Sequence, residues 1–213
     1  MKLALIDVDG TLLPDTRSEP RFILELARHG ALGPRQLGAF LLFALRWAPR
    51  FGRHVWKKDK AYLAGLPTGE VEARARAFVE ETLLGRVSPV IAERIAAHRR
   101  DGDALALLTG TPQFIAAPLA ESLGIAHVRA TRCTRRNGRF TADPPETHPF
   151  GAEKIATADL LRRMLGLQWR DCLAYGDSIH DRPLLERVGQ PVAVTPDRPL
   201  TGLARARGWE ILA

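Results

Sequence analysis

The chain has 213 residues, of which 46% are hydrophobic and 26% charged, values of a globular protein that exclude a disordered one. Its two cysteines, Cys133 and Cys172, lack metal-ligand spacing and exclude a disulfide scaffold, so a reducing cytoplasm is expected. The net charge of +7 calls for an anionic partner without choosing among phosphate esters, nucleic acid and membrane surfaces.

After Lys2 the apolar run lasts only until Asp7 intervenes, so no secretory pattern is expected. The longest apolar run, Leu37 to Leu45, is about half of what a bilayer span needs. Leu3 to Ile6 reads as a buried strand that runs into Asp7, Asp9 and Gly10. Side chains on a strand alternate, so two acids at i and i+2 leave on the same side if the strand continues through them. Side by side at the end of a buried strand they repel and lose solvation, which a divalent cation relieves.

From Pro20 to Leu84 the pattern is helical. A helix starts at Phe22 and ends at Gly30, and another starts at Pro34 with Leu37, Phe40, Leu41 and Ala44 at helical spacing, broken by Pro49 and Gly52. Val55 to Leu63 is a third, and Thr68 is the expected N-cap of a fourth, with Val71 where a capping box would place Glu. Beyond Pro89, helices and strands alternate. A helix over 90–100 leads to a strand over 104–108 ending in Thr109-Gly110-Thr111, and a helix from Pro112 stops at Gly124. Short strands flank an Asn137-Gly138 turn, and an amphipathic helix runs from Lys154 to Leu165. A strand over 172–175 ends in Gly176-Asp177, a helix spans 183–188, a strand 191–194 and a last helix 200–207. The alternation predicts an α/β fold: a Rossmann-like parallel sheet with helices on both faces and an inserted all-helical cap. The expected boundaries are 1–13 and 88–213 for the core and 14–87 for the cap.

Ligands of open parallel sheets bind beyond the carboxyl ends of the strands. Three predicted strand ends carry polar groups there: Asp7/Asp9, Thr109 and Asp177. Each has a plainer reading. Thr109 alone is more often an N-cap or a satisfied core hydroxyl, although with Gly110 it precedes a helix and so offers a phosphate corner. Lys154 alone is a solvated helix lysine. Asp181 suits the N-cap of the helix near Pro183, and His180 suits an exposed loop.

Four stretches stand in order: Asp7-Val-Asp9-Gly10-Thr11, Leu107-Leu108-Thr109-Gly110, Lys154, and Gly176-Asp177-Ser-Ile-His180-Asp181. Together they resemble the motifs of the haloacid-dehalogenase-like (HAD) superfamily. The stretch Ala174 to Glu186 resembles subfamily IB, which is related to phosphoserine phosphatases. The resemblance covers the core, and the cap matches only in length and helical character. It implies an Mg²⁺-dependent phosphatase in which Asp7 is the nucleophile and Asp9 the acid and base. Asp9 also lends its backbone carbonyl to the metal. Thr109, Gly110 and Lys154 then bind phosphate, Asp7 and Asp177 hold the metal, and Asp181 and His180 stand close behind. His180 departs from the Asn usual at its position. Glu, which in the phosphoserine enzymes lies nine residues after the nucleophile, is Thr16 here.

The stretch 46–60 holds six Lys/Arg and one Asp. Its plainer reading is a solvated face, and its functional one is contact with an anionic substrate or a membrane surface. No single-strand stacking platform is legible, so no nucleic-acid partner is expected. The expected partner is a small phosphorylated metabolite, such as one resembling phosphoserine or histidinol phosphate. A lipid phosphate (phosphatidylglycerophosphate or lysophosphatidate) and non-catalytic phosphate or nucleic-acid binding stay open.

Overall fold

A computed structural model describes residues 1–52 and 55–212. Arg53 and His54, within the basic stretch, lie outside the described residues. The chain begins with β1 (Leu3–Ile6), followed by α1 (Ser18–Arg28), α2 (Pro34–Phe51), α3 (Val55–Lys58) and α4 (Thr68–Phe78). Next come α5 (Pro89–Arg100), β2 (Ala104–Pro112), α6 (Gln113–Ser122), β3 (His127–Thr131) and the hairpin β4 (Arg135–Arg136) and β5 (Arg139–Phe140). The remainder is α7 (Ala152–Met164), β6 (Cys172–Gly176), α8 (Arg182–Leu185), β7 (Gln190–Val194), α9 (Arg198–Arg207) and β8 (Glu210–Leu212).

Six strands form one parallel sheet in the order β3-β2-β1-β6-β7-β8. This is the α/β Rossmann-like sheet expected, with β1 at its centre. Alternation along the buried strands builds two cores. Leu3, Leu5, Ala106 and Leu108 pack with α7, α8 and α9 on one face. Ala4, Ile6, Leu105 and Leu107 pack with α5 and α6 on the other.

The described residues from 14 to 87 add no strand to this sheet. Their apolar face joins the second core. Phe22 of α1 is fully buried and touches Phe78 of α4 and Phe114 of α6, with ring centroids 5.5 and 5.4 Å apart. The β4–β5 hairpin ties the insert down through Gly65 N–H to Phe140 O (2.9 Å) and Phe140 N–H to Leu66 O (3.0 Å).

Several local expectations change. The third helix stops at Lys58, because Asp59 and Lys60 turn inward and a 3₁₀ turn over Ala61–Leu63 follows. Thr68 is the first helical residue rather than a cap, since its hydroxyl donates to Gly138 O of the hairpin. Pro49 sits within the last turns of α2, and Gly52 at φ +52° ends the helix. β2 continues through Thr109 to Pro112, with a register shift after Leu108. Asp197 caps α9 by accepting from Leu200 N–H (2.8 Å), which starts that helix two residues early. The chain's last described residues form an edge strand beside β7.

Phe22→Ala should cost about 3–5 kcal/mol, the range for emptying a fully buried aromatic site. Urea denaturation measures it, and a cost under about 1 kcal/mol would show that the insert does not depend on this aromatic junction.

Candidate active site

β1 lies between β2 and β6 with Ile6 opposite both Leu107 and Tyr175, so the residues that follow these three lie at the same end of the sheet. Asp7 follows directly, and its N–H donates to Tyr175 O (3.2 Å). Asp177 emerges one residue beyond β6. Lys154, from the first turn of α7, brings its Nζ within 3.1 Å of Asp7 Oδ1 and 2.5 Å of Asp181 Oδ1. Asp7, Asp177 and Asp181 each present a carboxylate oxygen within 4.8 Å of the others.

Three acids and one cation leave an excess of negative charge in a buried corner. Burial pushes the Asp7 carboxyl up to about 7; Asp181 and Asp177 add to the rise and Lys154 opposes it. Asp177 is pushed up to about 6 by burial and then by Asp181. Burial by itself lowers Lys154, but Asp181 and Asp7 outweigh it and hold the ammonium above its ordinary value. The acids therefore bind protons readily, as carboxylates do when a counter-charge is missing. Oxygen donors in this number suit Mg²⁺.

Two glycines allow the crowding. A Cβ on Gly10, which has φ +85°, would lie 2.2 Å from Asp177 Oδ2, and one on Gly176 would lie 2.8 Å from Asp181 Cβ. Asp181 occupies the N-cap position of α8, yet its side chain makes no cap bond and turns to Lys154 instead. The helix-cap reading of Asp181 therefore fails. Lys154 is likewise buried rather than solvated.

Asp9 faces elsewhere. Its Oδ1 accepts Ser18 N–H (2.9 Å), so its carboxylate stands outside the acidic trio. Burial raises its pKa, the Ser18 hydrogen bonds lower it and the charge of Glu19 raises it. Ser18 Oγ lies 3.4 Å from Thr111 Oγ1, and Thr109 donates to that same oxygen (3.1 Å). Thr109 is thus buried in the corner beside Gly110, with its hydroxyl held by Thr111. Beside Asp9, Gly10 and Asp177 opens a cleft of about 650 Å³, whose rim includes Thr16, Arg17 and Arg21. A cleft of about 660 Å³ at the opposite ends of the strands, around Lys2, Asp103 and Gln190, contains none of the candidate site residues.

Three contributors carry no local sequence signal. Lys60, read with the solvated basic stretch, is only 4% exposed, and its Nζ meets Glu19 Oε2 at 2.5 Å. Tyr62 OH donates to the other Glu19 oxygen (2.8 Å). Phe150 lies between the rings of His148 and His180 (centroids 6.0 and 5.3 Å away), with Lys57 Nζ over its face at 3.7 Å. His180 is an exposed residue at this rim.

His148 braces the corner at Gly110 through Thr131. The one hydroxyl proton of Thr131 goes to Gly110 O (2.6 Å), so His148 Nδ1–H donates to Thr131 Oγ1 (2.8 Å). Nε2 then carries a buried lone pair with no partner among the described residues. Burial, followed by the charges of Lys60, Lys58 and Lys57, lowers this imidazole to about 3. The unfolded chain takes up a proton here below its ordinary value near 6.5, and the folded chain does so only near 3. Stability should therefore be intact above pH 6.5 and decline as pH falls toward 3, by up to about 1.4 kcal/mol per pH unit from this group. Urea titrations at several pH values should show a shallower decline for His148→Gln; an unchanged slope would remove this role.

A sequence model of the haloacid dehalogenase-like hydrolases matches residues 4–186. A probable phosphatase of Mycobacterium tuberculosis is 34% identical, over 99% of this chain and 74% of its own length. A histidinol-phosphatase of Neisseria meningitidis is 27% identical, over 99% of this chain and 97% of its own. Among solved structures, a Bordetella pertussis protein of unknown function superposes with a TM-score of 0.84 at 30% identity, covering 99% of this chain and 97% of that one. A phosphoserine phosphatase, solved as a phospho-aspartyl intermediate analogue, shares the fold at a TM-score of 0.61 and 20% identity, covering 99% and 92%. The chain belongs to the haloacid dehalogenase-like hydrolase family and stands among its phosphatases.

Proposed function

We propose that the protein is an Mg²⁺-dependent phosphomonoesterase that works through an aspartyl-phosphate on Asp7. The observation that carries this reading is the division of labour at the end of β1. Asp7 joins Lys154 and two further carboxylates, whereas two residues on, Asp9 is held apart by Ser18 with its pKa raised.

In this reading an Asp7 oxygen attacks phosphorus while the bond from phosphorus to the leaving alcohol breaks. Asp9 gives its proton to the departing oxygen. It then takes a proton from the water that hydrolyses the acyl phosphate. The raised pKa of Asp9 suits it to start as an acid. Lys154 orients Asp7 and balances its charge, and Gly110 N–H and Thr109 mark the corner for the phosphate oxygens. Asp7, Asp177 and the Asp9 carbonyl would hold Mg²⁺, with Asp181 alongside. The metal would supply neutralisation of the phosphate charge.

The substrate proposed is a small phosphorylated metabolite. Thr16 offers no carboxylate to a substrate ammonium, and Glu19 is taken up by Lys60 and Tyr62. Arg17 and Arg21 on the cleft instead favour an anionic or hydroxylated leaving group over an amine such as that of phosphoserine. The insert over 14–87 acts as the cap that chooses among substrates. A phosphate carried on a lipid is the second reading, favoured by the exposed leucines of α2. Free thiols at Cys133 and Cys172 fit a reducing compartment, the cytoplasm.

Purified protein should release phosphate from p-nitrophenyl phosphate with Mg²⁺ and stop with EDTA. Asp7→Asn should fall to background, and Asp9→Asn by about 100- to 10,000-fold. Mg²⁺ should raise the melting temperature at pH 7.5 far more than at pH 5, because Asp7 and Asp177 take up protons between. A protein that turns over no phosphoester, from serine and histidinol phosphates to lysophosphatidate, is a phosphate-binding module and not an enzyme. In a separate test, Gly10→Ala should lower turnover by about 100-fold through displacement of Asp177. Activity within a factor of two or so would show that Asp177 can yield.

A further inference from the structure

The segment from Leu26 to Lys58 contains no Asp or Glu and seven Lys or Arg. That equals the whole net charge of +7; elsewhere 24 basic residues face 24 acidic ones. The same segment carries the densest group of exposed apolar side chains. Leu37, Leu41, Leu42 and Leu45 of α2 are 61, 52, 64 and 77% exposed. Spaced at i, i+4, i+5 and i+8, they share one side of the helix.

The opposite side of α2 is also apolar. Phe43 is buried against Val55 and Ala61, with Trp47 and Phe51 packed alongside. A helix that is apolar on two opposite sides is normally covered on both. The described residues cover only one side of this one. Arg46 and Arg50 border the leucine face, and their guanidinium groups lie over Trp47 at 5.6 and 5.9 Å. Among the described residues no carboxylate pairs with Arg35, Arg46 or Arg50. Trp56 of α3, 57% exposed, lies tilted against Phe40 with ring centroids 5.7 Å apart and extends the patch. Among the described residues no helix is long and apolar enough to cross a membrane.

We propose that the leucine face of α2, with its arginine border and Trp56, docks on the surface of an anionic lipid bilayer. The leucines enter the boundary between head groups and acyl chains, while the arginines pair with lipid phosphates. A second copy of the chain fits less well, because two such faces would bring unpaired arginines together. The docked face also reaches the site: Trp56 precedes Lys57, which covers Phe150, and Phe150 touches His180. Docking requires no turnover and stands apart from the hydrolase reading.

Co-sedimentation tests it, using vesicles of phosphatidylcholine mixed with phosphatidylglycerol and vesicles of phosphatidylcholine alone. Binding should be on the order of 25-fold tighter to the mixed vesicles, since each of the two border arginines adds about a factor of five. Leu41→Ser/Leu45→Ser should abolish binding, and Arg46→Glu/Arg50→Glu should remove the anionic preference. Arg100→Glu on α5 should leave both unchanged. All three variants should keep their melting temperature and their hydrolysis of p-nitrophenyl phosphate without vesicles, so failure of docking and failure of catalysis are read separately. Absence of binding to mixed vesicles at low salt, or binding that survives the leucine substitutions, overturns the proposal. So does a dimer in sedimentation equilibrium that the leucine substitutions dissociate.

Discussion

Three carboxylates crowd together at the end of the central strand, two of them paired with one buried ammonium, and much of the molecule is arranged to hold them there. Asp7 stands more than 160 residues before Asp177 and Asp181 in the chain, yet the oxygens of all three lie within 4.8 Å. Such a cluster is unfavourable by Coulomb repulsion and by loss of solvation. It persists because β1 and β6 are paired in register, because Gly10 and Gly176 lack a Cβ, and because Lys154 reaches in from α7. The raised carboxyls of Asp7 and Asp177 are the residue of that conflict, and a divalent cation is its natural resolution.

The helical insert is coupled to this corner rather than set beside it. Its apolar residues share a core with the sheet through Phe22 and Phe114, and its Lys60 neutralises Glu19 close to Asp9. Lys57 and Lys58 reach across to Phe150 and Glu153. The charges that lower His148 thus come from the insert, and those that shape Asp9 come from its first helix. The protonation of the corner is therefore set in part by residues of the insert. The outer side of the insert carries the opposite chemistry, an apolar face that the described residues leave uncovered, bordered by arginines with no carboxylate partner among them.

The alternation of strand and helix, the motif aspartates and the helical insert were all legible from residue order. Apolar runs with period two and period 3.6 report burial directly. Less legible were ends and partners. The third helix reads as continuous to Leu63 because nothing local says that Asp59 and Lys60 turn inward. Thr68 reads as a cap because its real partner, Gly138, is 70 positions away. Asp181 reads equally well as a cap or a site acid until Lys154 claims it.

The sequence by itself determined the sheet, the helical insert and the placing of Asp7, Asp9 and Asp177 at the ends of strands, since periodicity and short motifs are local properties of the chain. Only the tertiary structure decided which lysines are buried, which proton His148 carries, where Asp9 turns and which leucines stay uncovered. Those outcomes depend on desolvation and on charges brought together from distant segments, and neither exists until the chain has folded.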